Sequence, residues 1–183
     1  MRRAAIFALV LILAGCSKPK EPLPVLGEVG DFTLTRQDGR DFGSIDLEGK
    51  VWVADFIFTN CPGPCPRMTQ LMKRLQDQAP GVELVSFTVD PDRDTPEVLA
   101  AYASKHGAEQ SRWHFLTGSR EDLHNLSRHA FKLGSVNREL DHSTRFALVD
   151  SNGQIRGYYG TQQDSPINRL LEDLRTLREQ PAS

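Results

Sequence analysis

The stretch VWVADFIFTNCPGPCPRM, residues 51–68, decides the fold. Val51 to Phe58 is nearly continuous apolar and β-prone sequence, as expected of a central strand covered on both faces. The run ends at Cys61-Pro-Gly-Pro-Cys65, and Pro66 suits the first turn of a helix. Met68, Leu71, Met72 and Leu75 then recur at i, i+3, i+4, i+7, the spacing of one buried helical face, before Pro80-Gly81 stop it. Two cysteines four positions apart therefore sit where a buried strand passes into a helix. Free backbone N–H groups and the helix dipole favour an anion there, which predicts thiolates. The spacing lets both sulfurs approach one ion or, with adjustment, each other, so metal binding and disulfide formation are both open. A plain structural disulfide is the weaker alternative, because so small a loop constrains the unfolded chain little.

Downstream, Val82 to Val89 reads as a second buried strand. In Asp90-Pro-Asp-Arg-Asp-Thr-Pro96, Thr95 caps a helix with Pro96 at its first position, and Val98, Leu99 and Tyr102 supply its buried side. Trp113 to Leu116 is a short strand, and Ser119 with Asp122 opens a helix through about Phe131. Thr144 to Val149, the turn Asp150–Gly153 and Ile155 to Tyr159 make a hairpin. Ser165-Pro166 starts a last helix with the stripe Ile167, Leu170, Leu171, Leu174 and Leu177. Upstream, Phe32–Leu34 and Asp41–Phe42 flank Gln37-Asp38-Gly39-Arg40, an opening hairpin. The order predicts an α/β sandwich with a parallel portion and an antiparallel edge. Lys132 to Asp141 shows no strong pattern and reads as an excursion near the functional end.

The first residues stand apart. Arg2 and Arg3 precede an apolar run, Ala4 to Leu13, that is far short of the roughly 20 residues a spanning helix needs, so it predicts an export signal. Leu13-Ala-Gly-Cys16 resembles a bacterial lipoprotein signal, which implies a lipidated Cys16 at the head of the mature chain, anchored to a bacterial membrane on its extracytoplasmic, periplasmic side. The expected layout is a signal at 1–15, a proline-containing tether at 16–30 and one domain at 31–183. With 22 basic and 24 acidic residues and no basic run, nucleic acid is not expected as a partner.

Three segments in order, FIFTNCPGPCP (56–66), VDPDRDTP (89–96) and Asp141-His-Ser143, resemble the Sco/SenC family over roughly Val25 to Leu177. The resemblance implies a thioredoxin-like sandwich, with the N-terminal β-hairpin added, that binds copper. It also implies a role in assembling the binuclear copper centre of cytochrome c oxidase, whose copper-bearing subunit is then the partner. The family's two cysteines fall on Cys61 and Cys65, and its histidine ligand on His142. Where ordinary thioredoxins carry a cis-proline facing the cysteines, Asp141-His-Ser-Thr144 has none, so a ligand replaces the substrate clamp.

The chemistry agrees, since two thiolates and one imidazole suit copper, and thiolates favour Cu(I). Zinc would usually take a fourth ligand. A Cys61–Cys65 disulfide cannot ligate, so a dithiol reductant must act before loading. The alternative function is thiol-disulfide exchange by the same Cys61–Cys65 pair, acting as a redox catalyst on the acceptor's cysteines. A thiol peroxidase is disfavoured, because Phe58 stands three residues before Cys61, where peroxiredoxins place threonine or serine. Asp90 is a candidate for orienting His142 or a partner, against a turn residue before Pro91; Asp92, Arg93 and Asp94 read as turn and capping residues. Met68 and Met72 read as core. His106, His114, His124 and His129 read as structural, the last two being five apart and so poorly aligned on a helical face.

Overall fold

The computed structural model describes residues 21–133 and 143–179; Cys16 and His142 lie outside them. In chain order the elements are β1 (Gly27–Glu28), β2 (Thr33–Arg36), β3 (Asp41–Gly43), β4 (Trp52–Ile57), α1 (Cys65–Gln78), β5 (Glu83–Thr88), α2 (Pro96–Lys105) and β6 (Trp113–Thr117). Next come α3 (Arg120–Asn125), which runs into a π-helical turn (Leu126–Ala130), then β7 (Arg145–Val149), β8 (Gln154–Gly160) and α4 (Ser165–Glu179).

The strands form one sheet in the order β1-β8-β7-β4-β5-β6-β2-β3. Its centre, β4-β5-β6, is parallel, and every other neighbouring pair is antiparallel. This is the expected thioredoxin-like α/β sandwich. The opening hairpin, β2–β3, extends it by pairing with β6, and Gly39 takes the positive φ of 79° that the turn requires. Every residue of β4 is buried, as its unbroken apolar run demanded.

Side chains alternate across β4. Trp52 and Phe56 meet Phe131 on one face, ring centroids 5.9 and 5.5 Å apart. Asp55 points to the other face, where Cys65 and Tyr102 feel its charge. The stripe of α1 is fully inside, with Met68, Met72 and Leu75 at 0 % exposure, so the two methionines are core residues. Thr95 caps α2 through the Val98 N–H, and Ser119 caps α3 through the Asp122 N–H.

Two expectations need correction. The chain joins the sheet before residue 31: Gly27 and Glu28 pair with Ile155 and Gln154, and the Arg156 guanidinium holds the Leu23 carbonyl, so an edge of β8 captures the end of the tether. The helix from Ser119 is not α-helical throughout, because Phe131 donates its N–H to the Leu126 carbonyl five residues back. Among the described residues no helix is long and apolar enough to cross a membrane.

Candidate metal centre

The strand-to-helix passage from β4 to α1 carries both thiols. Cys65 is the first residue of α1 and wholly buried, and Cys61, in the preceding loop, is half-buried. Both are reduced thiols, joined by a hydrogen bond between them. Burial pushes the Cys65 thiol far up, the hydrogen bond with Cys61 adds to this, and a hydrogen bond from the Phe58 backbone only partly opposes it. The expectation of a thiolate at this helix start thus fails for Cys65. Losing water at a fully enclosed sulfur outweighs the dipole of one helix end.

Beneath the pair lies Asp55, with 0 % exposure and no hydrogen-bond partner at normal geometry for either carboxyl oxygen. Burial pushes it up to about 7, and Ser86 opposes this only weakly. The Ser86 Oγ is itself engaged as acceptor for Trp113 Nε1 at 3.0 Å. Tyr102, half-buried, borders this group: burial pushes its phenol up to about 12, while its oxygen lies 2.7 Å from that of Thr69. Sequence reasoning passed over Asp55, although one carboxylate inside an apolar strand was the available signal.

The cysteine loop is fastened on both sides. Asp94, 1 % exposed, accepts the Thr59 N–H (3.1 Å), the Thr59 hydroxyl (2.6 Å) and the Thr88 hydroxyl (2.5 Å). It is not the simple turn residue that its motif suggested. On the other side Arg67 donates Nε to the Thr161 carbonyl (2.7 Å) and Nη2 to Asp164 (2.9 Å). Thr161 in turn gives its N–H (3.0 Å) and hydroxyl (2.7 Å) to the Thr144 carbonyl. Thr144 follows His142 by two residues, so the described chain just after that histidine is tied to the first turn of α1.

Asp90 is 5 % exposed, and its carboxylate accepts from Arg93 at 3.3 Å. Its carbonyl accepts the Arg93 and Asp94 N–H groups, which makes it a turn former among the described residues. His114 is structural: it stacks on Phe42 at 4.3 Å and bonds Glu83 at 2.9 Å. His106 packs on Tyr102 at 4.4 Å. His124 and His129, by contrast, meet, with ring centroids 6.4 Å apart. Among the described residues no three Cys, His, Asp or Glu side chains form a ligand cluster, and His142 is outside that set. A cleft of about 790 Å³ opens at the far end of β4, around Lys50, Trp52 and Arg178. Among the described residues that line it there is no thiol or imidazole, so the chemistry argues for the cysteine end.

Comparison with known proteins gives a consistent answer. The SCO1/SenC family model matches residues 23–179. A SCO1/SenC family lipoprotein from Bacillus anthracis has a similar structure, with a TM-score of 0.77 and 38% identity over 88% of this chain and 100% of that one. BsSco, described as a member of the Sco family of cytochrome c oxidase assembly proteins with a disulfide switch, gives 0.75 and 30% over 88% and 100%. ScoI of Arabidopsis thaliana, solved with copper bound, gives 0.66 and 26% over 82% and 98%.

Proposed function

The chain belongs to the SCO1/SenC family, and on that premise we propose that it is a copper chaperone. Cys61, Cys65 and His142 hold one copper ion and pass it to the copper-bearing subunit of cytochrome c oxidase during assembly. Support comes from the relatives, one solved with copper and another described as an oxidase assembly protein. The observation that carries the reading is the pair of reduced thiols in hydrogen-bond contact at the passage from β4 to α1. Two soft sulfurs so placed suit Cu(I), and a set completed by a single imidazole leaves room for ligand exchange with an acceptor.

Loading displaces the proton that burial holds on Cys65, so copper competes with protons at this site. It also requires both thiols reduced, which gives a dithiol donor its place in the cycle. We place the domain outside the cytoplasm, held to a bacterial membrane through lipid on Cys16; the B. anthracis relative is described as a lipoprotein.

Thiol-disulfide exchange is the second reading, favoured by the same contact between two reduced thiols, one of them half-buried. One experiment separates the two. Reduced, copper-loaded protein is mixed with the copper-site domain of the oxidase subunit, prepared either as dithiol or as disulfide. Copper moving to the dithiol acceptor while the disulfide acceptor stays oxidised supports the chaperone. Reduction of the acceptor's disulfide with no copper transfer favours the exchanger.

A further inference from the structure

An α-helix sets residues five apart about 140° from each other around its axis, so His124 and His129 would diverge on an ordinary continuation of α3. The π-helical turn at Leu126–Ala130 changes that register. Its i to i−5 bonding, shown by the Phe131 N–H on the Leu126 carbonyl at 2.9 Å, widens the turn between the two histidines and so narrows the angle between positions five apart. The imidazoles consequently meet with centroids 6.4 Å apart and planes at 72°. His129 is exposed and His124 half-buried, so solvent reaches the pair.

We infer that His124 and His129 form a second metal site, for a divalent first-row ion with Cu(II) preferred. With metal–nitrogen bonds of about 2.0 Å, two imidazoles sharing an ion hold their ring centres roughly 5–6 Å apart. Closing the gap from the observed 6.4 Å requires a rotation of the exposed His129 ring. Imidazole is a ligand for Zn(II), Cu(II) and Ni(II), and the general order of divalent affinities puts Cu(II) first. Two ligands from one helix leave the remaining positions to water, which makes a weak, exchangeable site. It is separate from the dithiol. His129 and Asp122 border a cleft with Val29 and Phe32, and Phe131, just beyond the turn, packs on Trp52 at the end of β4 remote from Cys61. The inference stands whether or not the cysteines carry copper.

The test uses the full chain with Cys61→Ser and Cys65→Ser, so that the thiols contribute nothing, titrated with Cu(II) alone and followed by electron paramagnetic resonance. A Cu(II) signal with nitrogen ligation is expected, weakened about tenfold or more by His124→Gln and equally by His129→Gln, with His106→Gln as the control that leaves it in place. Absence of Cu(II) binding, binding unchanged by either substitution, or loss in only one of the two variants would each overturn the paired site.

Discussion

Thr59 gives both its backbone N–H and its hydroxyl to the carboxylate of Asp94, at 3.1 and 2.6 Å. The loop that presents Cys61 is thereby locked to the turn between β5 and α2. Thr88, the last residue of β5, donates a third hydrogen bond to the same buried group.

Asp94→Ala leaves these donors unmet inside the protein and costs about 3 kcal/mol of stability, while Thr59→Val, which keeps the backbone bond, costs about 1 kcal/mol. Urea unfolding at neutral pH measures both. Equal, negligible effects would show that the carboxylate does not anchor the loop.

Asp55 predicts an unusual pH dependence. Its carboxyl ionises at 3.8 in the unfolded chain and at about 7 when folded, so between those values the folded state keeps a proton that the unfolded state has released. Stability falls as pH rises through this window and stays lower above it. Asp55→Asn should therefore stabilise the protein by about 2–4 kcal/mol at pH 8 and by little near pH 4. Denaturant midpoints at the two pH values check this; an equal effect at both would contradict a buried, strained carboxylate.

The two thiols should react unequally. Cys65 is enclosed and burial pushes its thiol up, whereas Cys61 is half-buried. Iodoacetamide at pH 8 should label Cys61 at least about tenfold faster, since the thiolate is the nucleophile and must be reached. Peptide mass mapping over time gives the order, and preferential labelling of Cys65 would reverse the assignment.

Most of the architecture was legible because its signals were local. The apolar run of β4, the Asp38-Gly39 turn and the Thr95-Pro96 and Ser119 caps each act through neighbours in the chain. The cysteine pair was legible for the same reason, as spacing at a strand-to-helix passage. What escaped depends on contacts across the fold. The length of sequence between Thr59 and Asp94 conceals that they touch, and the enclosure that keeps the Cys65 proton comes from packing rather than position in a helix. The π turn beneath His124 and His129 is a register change with no compositional mark. Asp55 is the intermediate case: it was visible as one charge in an apolar strand, but its orphaned oxygens appear only once the sheet is covered.

Copper binding by the reduced protein tests the central claim most directly. Anaerobic Cu(I) titration with a competing chelator, run beside Cys61→Ser, Cys65→Ser and His142→Ala, reads stoichiometry and affinity together. One copper per chain, abolished by either cysteine change and weakened about tenfold or more by His142→Ala, is the predicted result. Copper held with unchanged affinity and spectrum by His142→Ala, or by either serine variant, would contradict it.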